Sequence, residues 1–227
     1  MTGIIGAMTE ELELLLEELQ ERQDEWAGPF ELHQGVLENK QVLLAQCGIG
    51  KVNAAALTQL LISQGVERLI FTGVAGALEP SLKVGDIVVS TDCVQHDVDA
   101  TSFNYELGRV PGEAFAWGAD KTLRRVALEA ARAIGGVKVL EGRILSGDQF
   151  IASPEKGAWL RETFGGACTE MEGAAVAQVC AKWEVPFVIV RSMSDSADES
   201  AEVDFPAFVA LAAGHAKQVV RGMLRNL

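Results

Sequence analysis

Hydrophobic and polar residues alternate along this chain in blocks whose spacing is first that of a strand and then that of a helix. The apolar run at 2–7 is followed by Thr9, a predicted N-cap, and by leucines at helical spacing (Leu12, Leu15, Leu16 and Leu19). The same reading predicts further strands at 32–37, 41–46, 68–72, 84–90, 137–145, 167–169 and 187–192, with a hairpin turn at 38–40. It predicts helices at 52–63, 121–134, 154–163, 173–183 and 205–225.

This order of elements predicts an α/β fold. Strands that alternate with helices of roughly 10 to 15 residues are typical of a parallel or mixed sheet with helices on both faces. With 227 residues, we expect one domain over 1–227. Ligands in such sheets bind beyond the carboxyl ends of the strands, so the polar residues at those ends are the candidates for function.

The composition of the chain limits the classes of molecule that it is expected to bind. The chain has 19 Lys and Arg against 32 Asp and Glu, a formal charge of −13, which disfavours nucleic acids and anionic membranes as partners. No apolar run reaches the ~18 residues of a membrane span, and the N-terminus has no basic region of a signal peptide. The four cysteines form no CxxC pair, so we expect reduced thiols, no metal site and a cytoplasmic protein.

Acidic residues follow three of the predicted strands, as Glu10-Glu11, Glu170-Met171-Glu172 and Ser194-Asp195. Carboxylates gathered at one edge of the sheet favour acid–base chemistry on a substrate whose transition state is positive, and glycosyl transfer fits that description.

Each of these residues also has a structural interpretation. Glu10 and Glu11 suit the first turn of a helix, one of Glu170 and Glu172 could be a solvated rim residue, and Asp195 could be an N-cap. Three aromatic residues lie in or near polar loops, where each is either the edge of a core or a platform for a flat ring. They are Phe103, Phe150 and Phe205. The segment 48–50 (GIG) predicts a tight turn, and His33, His96 and His215 are too far apart in the sequence to suggest a shared site.

Several segments together match one family in order and spacing: 3–11 (GIIGAMTEE), 48–52 (GIGKV), 72–76 (TGVAG), 146–151 (SGDQFI), 170–172 (EME) and 194–195 (SD). Over essentially its whole length the chain resembles the 5′-methylthioadenosine/S-adenosylhomocysteine nucleosidases. The resemblance implies a purine nucleoside phosphorylase-like fold, a three-layer sandwich around a twisted mixed sheet.

The resemblance implies hydrolysis of the N-glycosidic bond of methylthioadenosine and S-adenosylhomocysteine, a reaction of methionine salvage. It also implies 5′-deoxyadenosine as a further substrate. Asp195 is then the acid that protonates adenine, and we expect burial to raise its pKa. Glu11 activates water, Arg191 helps to hold the water site, and Glu172 binds the ribose hydroxyls. Met171 packs beside the sugar, and Ser194 joins the substrate-binding residues.

The resemblance also implies how the rest of the substrate is held. Phe150 stacks on adenine, and the backbone of Ile151 reads the edge of the base. Met8, Ile49 and Phe205 line a channel for the 5′-alkylthio group. Phe103 and Pro111 come from the neighbouring subunit of a homodimer, and no cofactor or metal is implied.

Two further positions bear on the choice of nucleophile, and three alternative functions stay open. Phe71 and Val74 stand where phosphorolytic relatives bind phosphate, which favours water as the nucleophile. Val74 also replaces a serine that many nucleosidases carry near the ribose, so we expect altered affinity. The alternatives are a futalosine or aminodeoxyfutalosine nucleosidase of menaquinone synthesis, a nucleoside phosphorylase and a non-catalytic adenosine-binding module.

Overall fold

The structure is a computed structural model that describes residues 1–197 and 201–227, with side chains described for 1–197 and 208–227. The strands are β1 Thr2–Gly6, β2 Gln20–Ala27, β3 Phe30–Leu37, β4 Lys40–Gln46, β5 Arg68–Ala77, β6 Ile87–Gln95, β7 Trp117–Gly118, β8 Val139–Ser146, β9 Gly166–Glu170 and β10 Phe187–Asp195. The helices are α1 Thr9–Leu16, α2 Lys51–Ser63, α3 Lys121–Arg132, α4 Pro154–Phe164, α5 Gly173–Lys182 and α6 Ala201–Asn226, with a single 3₁₀ turn at Thr101–Phe103.

All of these strands belong to one mixed sheet. On one side of β5 the order is β1, β4, β3 and β2, with β1 parallel to both β4 and β5. On the other side, β5 pairs with β9 and β10, and the path through β9, β8, β6 and β10 returns to β5. The sheet therefore closes into a ring of five strands at one end, a feature that the sequence pattern does not predict.

Helices cover both faces of the sheet, as the sequence predicts. Neighbouring residues of β1 point to opposite faces because side chains alternate along a strand. Ile4 packs in a core with leucines of α1 and apolar residues of α3 and α6, whereas Ile5 packs in a second core with leucines of α2 and alanines of α5. This confirms the mixed α/β fold.

Local signals placed several elements correctly. Glu38 and Asn39 both have positive φ, 48° and 60°, as a two-residue hairpin turn between β3 and β4 requires. The Ser153 hydroxyl accepts the Lys156 N–H at 3.2 Å and caps α4 one residue before its proline.

Other elements differ from the prediction for physical reasons. β2 was missed because its sequence, QERQDEWA, is polar and almost wholly exposed, as an edge strand can be. Met8, not Thr9, is the N-cap of α1, and the Thr9 hydroxyl instead donates to Oε1 of Gln46 at 3.2 Å. Strand β6 was predicted at 84–90 but lies at Ile87–Gln95.

None of the helices in the described part of the chain combines the length and the apolar character of a membrane span.

Candidate active site

A cleft of about 180 Å³ lies where β1, β5, β9 and β10 end. Most of the residues that the sequence predicts for the site line this cleft. They are Met8, Glu11, Ile49, Val74, Phe150, Ile151, Met171, Glu172, Ser194 and Asp195. Residues from six separate segments of the chain therefore meet here, at the edge of the sheet where the pattern of strands placed a site.

Glu11 is buried in the first turn of α1, and among the described residues its hydrogen bonds come from backbone N–H groups. Its Oε2 accepts the N–H groups of Ala7 at 2.5 Å and Met8 at 2.9 Å, and its Oε1 accepts the N–H of Val74 in β5 at 3.1 Å. Burial raises the pKa of Glu11 above its usual value, although the charge of Arg191 and these three N–H groups act in the opposite direction. The carboxylate is thus fixed in place and is able to accept a proton.

The glycines of β5 make room for two of the acids. A side chain on Gly73 would collide with the carboxylate of Glu11 and the guanidinium of Arg191, and a Cβ on Gly76 would lie 2.7 Å from Oδ1 of Asp195. The segment 72–76 (TGVAG) therefore has small residues because carboxylates approach its backbone on both sides.

Asp195 is the last residue of β10 and is buried. Its Oδ2 accepts the hydroxyl of Ser194 at 2.8 Å, and its Oδ1 accepts the N–H of Ala197 at 2.8 Å. The second bond makes a local turn, and α6 begins only at Ala201, so Asp195 is not the N-cap of that helix. Both oxygens are oriented by neighbours in the sequence.

Glu172 accepts the N–H of Gly50 through Oε1 at 2.8 Å. Burial and the nearby charge of Glu170 raise the pKa of Glu172 to about 8. Met171, between the two glutamates, is partly buried and lines the cleft.

The expectation that one of Glu170 and Glu172 is a solvated rim residue is wrong, because both are buried. Glu170 instead receives Nη2 of Arg191 at 2.6 Å and Nε at 3.2 Å. Both side chains of this pair are withdrawn from solvent, so Glu170 is a residue whose importance the sequence reasoning missed. A signal that could have found this pair is the arginine that directly follows the apolar run 187–190 in β10.

Arg191 differs in part from its predicted role. Its guanidinium lies over the ring of Phe71, 3.9 Å from the centroid, and its hydrogen bonds among the described residues go to Glu170 and to the carbonyl of Val190. Arg191 is 1% exposed and lies behind the wall of the cleft, so it acts on Glu11 through its charge and not through a hydrogen bond.

Two loops form the outer side of the cleft. Phe150 is half exposed, and Ile151 is buried beside it. Among the described residues, the backbone N–H and C=O of Ile151 have no hydrogen-bond partner. The Asp148 carboxylate accepts the N–H of Lys51 at 2.9 Å, which ties this loop to the start of α2.

Ile49 is 56% exposed at the mouth of the cleft. It lies between Gly48 and Gly50, whose φ angles of 82° and 99° confirm the predicted tight turn. The turn brings Ile49 next to the loop that carries Phe150.

Besides Arg191, two predicted residues do not line this cleft, and a third has no described side chain. Phe103 is 77% exposed, Pro111 is exposed, and neither lines it. Phe205 lies outside the residues whose side chains the structure describes.

In the described residues, one group has the spacing of metal ligands: Asp24, Glu31 and His33 at the β2 edge. Asp24 already binds Nε of Arg22 at 2.7 Å and Nδ1 of His33 at 2.8 Å, so its carboxylate is engaged by protein groups. The candidate active site itself is built from carboxylates and backbone groups.

Comparisons with known proteins agree with this fold. Residues 2–225 match the family model described as the phosphorylase superfamily. The chain is 44% identical over 226 residues to the 5′-methylthioadenosine/S-adenosylhomocysteine nucleosidase of Bacillus pumilus, with 99% of this chain and 98% of the relative covered. It is 41% identical to the protein of the same name from Shewanella loihica, with 99% of each covered.

Solved structures agree as well. The nucleosidase of Neisseria meningitidis in complex with methylthio-immucillin-A superimposes with a TM-score of 0.97 at 42% identity, covering 100% of this chain and 99% of that one. Futalosine hydrolase of Helicobacter pylori superimposes with a TM-score of 0.94 at 38% identity, covering 100% and 97%.

Proposed function

The chain belongs to the 5′-methylthioadenosine/S-adenosylhomocysteine nucleosidase family within the phosphorylase superfamily, and on this basis we propose that it hydrolyses both of these nucleosides to adenine and the 5′-thioribose. One observation carries the proposal for the site. Glu11, Glu172 and Asp195 are buried and reach one largely apolar cleft from three separate elements.

In the proposed reaction, Asp195 is the general acid. It gives its proton to the five-membered ring of adenine while the bond between the ribose carbon and the ring nitrogen breaks, and the electron pair of that bond leaves with the base. Ser194 and the N–H of Ala197 hold the carboxyl group in one orientation, which favours transfer along one direction.

Glu11 and Glu172 act on the sugar. Glu11 takes a proton from the water that attacks the cationic ribosyl carbon, and its three backbone N–H contacts hold it in position. Glu172 accepts hydrogen bonds from the ribose hydroxyls, and in its ionised form its negative charge favours the positive transition state. Met171 packs beside the ribose.

The side chains near the water site favour hydrolysis over phosphorolysis. Phe71 and Val74 present no hydrogen-bond donor from their side chains, and the guanidinium of Arg191 is engaged by Glu170 behind the cleft wall. A phosphate at this place would meet the carboxylate of Glu11, whereas a water molecule is neutral.

We propose that adenine stacks on Phe150 and hydrogen-bonds to the backbone N–H and C=O of Ile151. These two groups offer one donor and one acceptor, which match the edge of the base. Met8 and Ile49 form an apolar channel for the 5′-alkylthio group, which Phe205 completes.

We propose that Phe103 and Pro111 complete the cleft of a second copy of the chain, so that the active enzyme is a homodimer. Both are exposed on a segment that does not line the cleft of its own chain. We also propose a single nucleosidase domain over 1–227 in a reducing cytoplasm, since the sheet is continuous and all four cysteines are buried free thiols.

The first experiment measures adenine release from methylthioadenosine and S-adenosylhomocysteine in phosphate-free buffer, and again with phosphate added. We expect release without phosphate and no acceleration by phosphate. A requirement for phosphate would show a phosphorylase and contradict our interpretation of Phe71 and Val74.

Futalosine is the third substrate in this assay, because futalosine hydrolase of Helicobacter pylori has the same fold at 38% identity. The apolar lining by Met8 and Ile49 favours thioalkyl groups over a polar 5′ substituent, so we expect slower release from futalosine. A faster release from futalosine would reverse the assignment of substrate.

Asp195→Asn separates an enzyme from a binding module. Asparagine keeps the size and the hydrogen-bonding oxygen but has no acidic proton, so turnover should fall by about 10²–10⁴-fold or more while a stable nucleoside analogue still binds. Calorimetry gives the binding and adenine release gives the rate. Unchanged release would remove Asp195 from the mechanism.

A further inference from the structure

Three buried carboxylates share a single buried cation behind the cleft. Glu11, Glu170 and Glu172 each act electrostatically on Arg191, which is 1% exposed. If all three carboxylates were ionised, the cluster would carry a net charge of −2 in a dry environment, which is energetically costly. The way in which Arg191 is shared therefore decides which carboxylates stay ionised.

The other titratable groups around the cluster supply no second cation. Burial raises the pKa of the thiols of Cys47, Cys93 and Cys168, so they stay neutral. Burial also lowers the pKa of His96, which keeps that imidazole neutral near pH 7. Among the described residues, Arg191 is thus the one positive group of the cluster.

Most of the hydrogen bonds that Arg191 makes among the described residues go to Glu170. Its Oε2 receives Nη2 at 2.6 Å and Nε at 3.2 Å, and stacking on Phe71 fixes the plane of the guanidinium. No hydrogen bond of this kind joins Arg191 to Glu11 or Glu172 in the described residues.

The same carboxylate also fixes the turn that carries Glu172. Glu170 accepts the N–H of Gly173 at 2.8 Å and that of Glu172 at 3.3 Å, and it receives the hydroxyl of Ser146. It therefore lies at the start of α5, where the helix dipole favours a negative charge. Glu170 thus accepts hydrogen bonds from five N–H and O–H groups.

We propose that Glu170 is a positioning residue for the glycosidic reaction: by binding Arg191 and the turn at Glu172, it keeps the guanidinium away from Glu11 and Glu172, which then face the substrate as strong bases. The inference rests on the function proposed above. It concerns a residue that borders the cleft and acts through its neighbours.

The physical basis is competition for one positive charge. Arg191 lowers the pKa of both Glu11 and Glu172, and the negative charge of Glu170 acts against it at Glu172, while burial holds both pKa values above the usual range. Without the Glu170 charge, Arg191 would be a buried, unpaired cation that stabilises the ionised forms of Glu11 and Glu172. Both would then be weaker bases.

The test compares the pH dependence of kcat/KM in the wild type, Glu170→Gln and Glu170→Asp. We expect the acid limb of Glu170→Gln to move to lower pH by about 1–3 units, the usual effect of a nearby unpaired charge, with kcat reduced about tenfold or more. Aspartate keeps the charge but withdraws it from Arg191, so its limb should lie between the other two.

Glu38→Gln is the matched control, because it removes the same charge from a glutamate that binds two arginines on the surface. Its acid limb should coincide with that of the wild type. If Glu170→Gln does not fold, as judged by circular dichroism, the limb of Glu170→Asp decides.

An acid limb that does not move in the folded Glu170 variants, whatever their rate, would overturn the inference and leave Glu170 a purely structural residue. An inactive wild type would refute the proposed function instead. The two failures are therefore distinguishable.

Discussion

Two clusters of glutamates and arginines in this protein shift the pKa of a carboxyl group in opposite directions. Behind the cleft, three buried glutamates share Arg191, and burial together with the charge of Glu170 raises the pKa of Glu172 to about 8. At the end of α6, Glu38 receives hydrogen bonds from Arg225 and Arg221, which lower its pKa to about 2.

The surface cluster has more cations than acids. Glu18 binds Lys217 at 2.7 Å and Arg221 at 2.9 Å, and Glu38 binds Arg221 at 2.5 Å and Arg225 at 2.7 Å. Both acids there are partly exposed, and the pairs join α6 to the segment after α1 and to the turn between β3 and β4. The same residue type therefore gives stability where cations and water are plentiful, and chemical reactivity where both are scarce.

The largest effect is expected for a substitution that removes an acid of the cleft cluster. Glu11→Gln keeps the shape of the side chain but removes the base, so kcat should fall by about 10²–10⁴-fold. Adenine release measures it, and Glu38→Gln, with the same loss of charge, should retain the wild-type kcat. A Glu11→Gln enzyme with normal kcat would show that the water needs no carboxylate base at this position.

Glu172→Gln should lower activity and raise stability at the same time. The folded-state pKa of about 8 exceeds the ordinary value of 4.5, so the folded protein holds this proton more tightly, and the free energy of unfolding declines as pH rises from about 4.5 to about 8. Glutamine has no carboxyl group to ionise, so the variant does not lose this stability as the pH rises. We expect the variant to melt about 2–4 °C above the wild type at pH 9, the equivalent of about 1 kcal/mol, and to match it at pH 4.

Thermal melts at both pH values, read by circular dichroism, check this expectation. A Glu172→Gln variant that is less stable than the wild type at pH 9 would show that the ionised carboxylate stabilises the fold, and the contrast between the two clusters would fail.

A smaller effect is expected at the surface, with the opposite dependence on pH. The pKa of Glu38 in the folded state, about 2, lies below its ordinary 4.5, so its contribution is present above about pH 4.5 and is lost as pH falls towards 2. Glu38→Gln should cost about 0.2–1 kcal/mol at pH 7 and nothing near pH 2, measured by urea unfolding. Equal costs at both pH values would assign the effect to packing.

The smallest expected effect is the response of the two stability differences to salt, which should distinguish the surface cluster from the cleft cluster. At 1 M salt the screening length is about 3 Å, so the stability difference between Glu38→Gln and the wild type should shrink. The difference between Glu172→Gln and the wild type at pH 9 should persist, because its charges are buried. If both differences respond equally to salt, the cleft cluster is more hydrated than its burial indicates.

Much of this architecture could be predicted without the structure. The alternation of strands and helices, the cap at Ser153 and the turn at Glu38 and Asn39 are local features, and residues a few positions apart determine them. The acids after β1 and at the end of β10 also predicted the edge of the sheet that holds the site, since these strands run parallel to β5 and bring their carboxyl ends together.

Other features depended on partners that are distant in the sequence. The polar strand β2 exists because β3 offers an unpaired edge, and the ring closes because β5 pairs with both β9 and β10. Neither property leaves a mark in hydrophobic spacing, which reports burial of side chains and not the pairing of backbones.

The sequence by itself determined the fold class, the family motifs and the presence of Glu11, Glu172 and Asp195 near one another. Only the tertiary structure decided that Arg191 binds Glu170, 21 residues away, and that the N–H of Val74 reaches Glu11 across 63 residues. The physical reason is that the pKa of a carboxyl group depends on burial and on the charges within a few ångströms, and packing of the whole chain sets both.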